Sequence, residues 1–184
     1  VSDDAIIADL LRREGGYVDR AADRGGPTNM GITIPTLAKW RGAVVTKTDI
    51  INLTRAEAGD IYRVQYVSPW AFIWRSSLRE LLIDWGVTSH QRNPIKALQS
   101  FVNESGIYLK VDGVLGSQTR EAWKALEATL PDRTDLACRV IAKERVKFYV
   151  RLALDDEADA FMAAHPTTQL HNLPGWVNRG LEFL

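Results

Sequence analysis

Glu14 stands three and four residues after Leu11 and Leu10, at the end of an apolar run with helical spacing, and Gly15-Gly16 follows it at once. A helix that buries those leucines turns the Glu14 carboxyl toward the core or toward a cleft beside it. Partial desolvation and the negative end of the helix both disfavour the carboxylate, which suits a group that must hold a proton near neutral pH. The same spacing also fits a solvated glutamate in a frayed last turn, so periodicity suggests the role without establishing it.

The Gly-rich segment that comes next carries Asp19, Asp23, Thr28, Asn29 and Thr33. Folded back over the helix end, it could set a second carboxylate, or a hydroxyl that holds water, opposite the acid. Two carboxyl groups flanking the scissile bond are what glycosidic hydrolysis commonly uses. Asp and Thr are also good turn formers, and Asp19 reads as a turn residue more readily than Asp23 does. Other chemistries lack their signatures. His90, His165 and His171 form no HExxH or zinc cluster, and Cys138 sits in a helical stretch without a nucleophile motif. No GxSxG, Walker A or dinucleotide fingerprint occurs. Hydrolysis by two side chains and water needs no metal and no cofactor, so none is expected.

Three short motifs follow in order between residues 14 and 33: Glu14-Gly15-Gly16-Tyr17-Val18, Asp23-Arg24-Gly25-Gly26 and Thr28-Asn29-Met30-Gly31-Ile32-Thr33. Together they resemble the signature of glycoside hydrolase family 108, lysozyme-like N-acetylmuramidases of phage endolysins and of bacterial proteins once called secretion activators. The resemblance implies a lysozyme-like fold, cleavage of the β-1,4 bond between N-acetylmuramic acid and N-acetylglucosamine, and Glu14 as the acid. Phage-type lysozymes follow their helix-terminal Glu with an Asp and then a Thr, which implies catalytic roles for Asp23 and Thr28. Asn29 or Thr33 could take the place of that hydroxyl. Tyr17, Asn29, Thr33 and Asp84 are the candidate substrate-binding residues. Asp84 reads more readily as a group that holds nearby backbone than as one that lines the cleft.

Further along, Asp84-Trp85-Gly86-Val87, Lys110-Val111-Asp112-Gly113-Val114-Leu115-Gly116 and Gly175-Trp176-Val177-Asn178-Arg179 resemble the predicted peptidoglycan-binding domain that accompanies this family. One departure is visible: Thr88-Ser89-His90 stands where related sequences carry Asn, a small residue and Gly. The expected division is a catalytic lobe over 1–92 and a helical peptidoglycan-binding region over 93–184.

The elements that must position these residues are mostly helices. Ser2 can cap a helix carrying Ile6, Ile7, Leu10 and Leu11, which Gly15-Gly16 stops. From Tyr17 to Thr33 the pattern reads as turns and a small hairpin. Pro35 opens a short helix through Trp40. Thr54-Arg55-Ala56-Glu57 is a capping box for a helix to about Tyr66, and Ser77-Leu78-Arg79-Glu80 is a second box heading the stripe Leu78, Leu81, Leu82, Trp85. Asn93 to Glu104, Ser117 to Ala128, Arg133 to about Leu154 and, more weakly, Gly175 to Leu184 also carry helical periodicity. The expected fold is mainly α, a lysozyme-like α+β arrangement with a small irregular or β-hairpin lobe after the first helix. Trp85 reads as structural, whereas Trp40, Trp70 and Trp74 sit near turns and are candidate cleft residues.

Length and charge limit the partners. A chain of 184 residues that is 46% hydrophobic can bury a core unaided. Its 23 basic residues equal its 23 acidic ones, so no global field holds a polyanion, and nucleic acid is not an expected partner. No apolar run reaches membrane-span length, and Val1 to Leu11 lacks the pattern of a signal peptide. The expectation is a monomer made in the cytoplasm without stable membrane insertion, reaching peptidoglycan strands in the wall after release. The rivals are a non-catalytic peptidoglycan-binding or secretion-assisting protein, and a lytic transglycosylase or chitinase acting on a related glycan.

Overall fold

A computed structural model of the protein describes residues 1–19, 26–74, 76–129, 133–163, 173–181 and 183. The chain forms two compact units, Val1–Pro69 and Trp70–Leu184.

In the first unit, α1 (Asp3–Arg13) starts at Ser2, whose hydroxyl accepts from the Ala5 amide at 3.3 Å. It ends at Glu14, the C-cap, after which Gly15 takes a left-handed φ of 75°. That conformation costs glycine little and terminates the helix. Ile6, Ile7, Leu10 and Leu11 are buried, as the 3.6-residue period requires, and α1 packs on α4 (Arg55–Tyr62). Between them lie three two-residue strands, β1 (Tyr17–Val18), β2 (Thr28–Asn29) and β3 (Ile32–Thr33), which form one antiparallel sheet in that order. Tyr17 faces Asn29 and Val18 faces Thr28 across β1/β2, while Thr28 faces Thr33 and Asn29 faces Ile32 across β2/β3. The fold is therefore mainly α with a small sheet after the first helix.

The helix α2 (Ile34–Arg41) follows directly, capped by the Thr33 hydroxyl, and α3 (Lys47–Ile51) carries a complete capping box between Thr46 and Asp49. The expected box at α4 forms by half. Thr54 accepts from the Glu57 amide at 3.1 Å, but the Glu57 carboxylate turns to Arg41 instead, at 2.8 Å to both Nε and Nη2. A bidentate guanidinium outcompetes a neutral backbone amide. Beyond Tyr62 the helix continues as a π-helical turn, Arg63–Val67, and then a 3₁₀ turn, Ser68–Trp70.

The second unit is built on α5 (Ser76–Thr88), which packs on α6 (Arg92–Glu104) and α8 (Arg133–Ala163). Leu78, Leu81, Leu82 and Trp85 are buried, so the stripe read from the sequence is a core face. Because α5 begins at Ser76, Ser77 lies inside the first turn and not at the cap. α7 (Ser117–Thr129) packs on α6 and contributes Trp123 and Leu126 to the core; α9 (Leu173–Leu181) packs on α8. Among the described residues, no helix is long and apolar enough to cross a membrane.

Candidate active site

The turn joining β2 to β3 is the feature that organises Glu14. Met30 and Gly31 both have positive φ, 49° and 74°, as a two-residue hairpin of matching twist requires. Methionine rarely adopts this conformation, so the turn needs outside support. It has two anchors. The Tyr62 hydroxyl, buried at the end of α4, donates to the Met30 carbonyl at 2.8 Å, and the Met30 amide donates to the Gly16 carbonyl at 3.4 Å.

Held this way, Gly31 lies directly against the acid. A β-carbon on Gly31 would come within 2.9 Å of Glu14 Oε2, 3.1 Å of Glu14 Cγ and 2.5 Å of the Tyr62 hydroxyl. Only a residue without a side chain fits between them. Glu14 is half-buried while Gly31 is exposed, so the carboxyl is neither locked in the core nor free on a surface.

Tyr66 completes the surroundings. It lies four residues after Tyr62, inside the π-helical turn, and the two rings are 5.5 Å apart at 48°. Burial first, and the nearby Glu14 carboxylate second, push the Tyr66 phenol above its ordinary range. Tyr66 thus lies within electrostatic reach of Glu14. π-Helical turns recur at functional sites because the extra residue re-aims side chains that a regular helix would space differently.

The other candidates are distributed as follows. Thr28 is half-buried in the central strand. Asn29 is buried, and its amide donates to the carbonyls of Ile50 at 2.9 Å and Ile51 at 3.2 Å, which ties the sheet to α3. Thr33 spends its hydroxyl on the start of α2, accepting from the Thr36 amide at 3.3 Å. Tyr17 is 39% exposed; its hydroxyl bonds Asp19, which is paired with Lys47 at 2.5 Å. The Lys47 ammonium accordingly holds the Asp19 carboxyl below the usual carboxylate range. Asp23 lies outside the described residues. Asp84 belongs to the second unit, where it is buried and paired with the fully buried Arg145 at 2.5 Å. Of the tryptophans, Trp70 is a core residue at 0% exposure, contrary to its reading as a cleft residue, because the 3₁₀ turn directs it inward; Trp74 is 85% exposed.

Gly31, Tyr62 and Tyr66 are the residues that motif reasoning passed over. Gly31 lies inside the motif from Thr28 to Thr33, and two tyrosines four apart on a helix share a face. Neither signal says that the face meets Glu14.

Residues 7–89 match the family model described as Glycosyl hydrolase 108, and residues 93–181 match the one described as Predicted Peptidoglycan domain. The chain carries a glycosyl hydrolase 108 domain followed by a predicted peptidoglycan domain. By that first domain it is a glycoside hydrolase. Among solved structures it is similar to Brucella abortus SagA, with 27% identity and a TM-score of 0.70 over 98% of this chain and 94% of that one. That likeness extends through both parts of the chain, and it accords with the mainly α, lysozyme-like fold. No curated protein matches the sequence. In this glycosyl hydrolase 108 domain, the hydrolase match begins within α1 and spans Glu14, the sheet and both tyrosines.

Proposed function

We propose that this glycosyl hydrolase 108 protein is an N-acetylmuramidase, hydrolysing the β-1,4 bond between N-acetylmuramic acid and N-acetylglucosamine in peptidoglycan, with Glu14 as general acid. The observation that carries the reading is the cradle around Glu14: a strained turn, anchored by Tyr62, that reserves space for the carboxyl beside Gly31. Strain of this kind persists only where surrounding structure over-determines it, and it concentrates at reaction sites.

In the proposed reaction Glu14 gives its proton to the glycosidic oxygen as the bond to the anomeric carbon breaks. A second carboxylate, assigned to Asp23, assists the attacking water or stabilises the oxocarbenium-like transition state, and Thr28 holds that water. Tyr17 is the exposed residue of the same sheet that meets the sugar, whereas Asn29 and Thr33 hold the sheet to α3 and α2. Such cleavage throughout a sacculus is bacteriolytic, the action expected of a phage endolysin, and its place of work is the cell wall.

The test is mass spectrometry of digested sacculi. Reducing N-acetylmuramic acid ends are expected, in the presence of EDTA as in its absence. Anhydromuramic ends would make the protein a transglycosylase, and intact glycan would remove the hydrolase assignment. Glu14→Gln keeps the shape and removes the proton, so it should cut turnover about 10²–10⁴-fold with the melting curve preserved. A folded Glu14→Gln variant clearing permeabilised cells at more than about a tenth of the wild-type rate refutes the assignment of the acid.

A further inference from the structure

The second unit contains a groove, between α6 and α8, that the reaction at Glu14 does not use. Its volume is about 400 Å³. Phe101 and Phe148 line it, together with four charged residues: Lys96 and Glu104 from α6, Glu144 and Arg151 from α8.

The arrangement follows from helical spacing. On α6, Lys96 precedes Glu104 by about two turns, and on α8, Glu144 precedes Arg151 by about two turns. At 1.5 Å per residue the charges of opposite sign on each helix are separated by roughly 10–12 Å. Lys96, Glu104 and Arg151 are exposed. Glu144 is paired with Lys147 at 2.6 Å, both side chains being about half exposed, an ion pair that a ligand ammonium can replace at little cost.

A groove with an aromatic floor and both signs of charge along its walls complements a short ligand bearing carboxylates, an ammonium and small apolar groups. The peptide stems of peptidoglycan have that composition: alanine methyls, free carboxylates and a diamino acid. A chain of N-acetylated sugars offers no ammonium, and its lactyl carboxyls are tied up in the amide bonds to the stems until an amidase frees them. We propose that the α6/α8 groove binds the peptide stem of peptidoglycan, with Lys96 and Arg151 taking its carboxylates and Glu104 and Glu144 its ammonium. The proposal rests on the reading that this protein engages peptidoglycan, and it adds which chemical part of the polymer the second unit grips.

The experiment uses the full chain carrying Glu14→Gln, so that the polymer is not digested during measurement. Co-sedimentation is measured with intact sacculi and with glycan strands stripped of their peptides by an amidase. Lys96→Glu/Arg151→Glu should weaken binding to sacculi at least tenfold, whereas Lys124→Glu/Lys143→Glu, an equal charge change at other exposed positions, should leave it unchanged. Stripped glycan should bind the parent chain no better than it binds the groove variant. A synthetic stem tetrapeptide should shift the amide resonances of α6 and α8 in the parent and not in the variant. Equal binding of sacculi by parent and groove variant, or equal binding of stripped glycan and sacculi by the parent, overturns the groove assignment. Failure of the parent to bind either polymer overturns the peptidoglycan reading beneath it.

Discussion

Adding one methyl group at Gly31 tests the cradle directly. In Gly31→Ala the new carbon would stand 2.5 Å from the Tyr62 hydroxyl and 2.9 Å from Glu14 Oε2, both closer than such atoms approach, so one neighbour must move. The left-handed backbone at φ 74° costs an alanine about 1–2 kcal/mol by itself. If Tyr62 yields, the buried bond to the Met30 carbonyl breaks, at about 1–3 kcal/mol for the group left unsatisfied. The sum is roughly 2–5 kcal/mol, or roughly 5–15 °C in Tm for a chain of this length. If Glu14 yields, stability suffers less but the acid is misplaced, and a displacement of ~1 Å lowers turnover by about 10²-fold. Gly42→Ala separates the two causes, because Gly42 has a similar φ of 65° but nothing within 4 Å of its added carbon. It should lose only the backbone strain, about 1–2 kcal/mol, and no activity. Tyr62→Phe removes the closest atom, so the Gly31→Ala/Tyr62→Phe double variant should lose less than the sum of the single losses. Turbidity clearing and denaturant titration measure both quantities. A folded Gly31→Ala enzyme within threefold of wild-type turnover and no less stable than Gly42→Ala would refute the cradle.

Three further outcomes concern stability. Asp84→Ala strands the fully buried Arg145 without its counter-charge and should cost about 3–5 kcal/mol, most of it recovered in Asp84→Ala/Arg145→Met; denaturant unfolding checks both, and a loss under about 1 kcal/mol contradicts the pairing. Gly59→Ala in α4 places its carbon at ordinary contact distance, 3.6 Å from Ile7 and 3.8 Å from Leu11, so the helix propensity gain of about 1 kcal/mol should appear as a raised Tm. A lowered Tm would show that the α1/α4 contact has no room. Burial, as the first cause, raises both the Tyr66 and the Tyr149 phenols above their ordinary 10.0. Between that value and the raised one the folded chain binds more protons than the unfolded chain, so stability is complete below pH 10 and falls as pH rises further. Urea midpoints measured on either side of pH 10 should show this fall, and Tyr66→Phe should flatten it; an unchanged slope in that variant would place the effect on another group.

What the sequence determined by itself was local. Ser2 and Gly15 bracket α1 because a hydroxyl cap and a left-handed glycine act within one turn, and the stripe from Leu78 to Trp85 announced a buried face because helical period alone sets which residues share it. The ordered motifs from Glu14 to Thr33 carried the family, since closely spaced chemistry survives in one dimension. Tertiary structure decided the rest. Glu57 chose Arg41, sixteen residues upstream, over its own helix cap, and Tyr62 reached back thirty-two residues to hold the Met30 carbonyl. Asp84 met Arg145 sixty-one residues away, where only the packing of α5 on α8 could bring them together. These partners compete for the same side chains with local alternatives of similar energy, and the competition is settled by which helices pack side by side, which residue spacing does not encode.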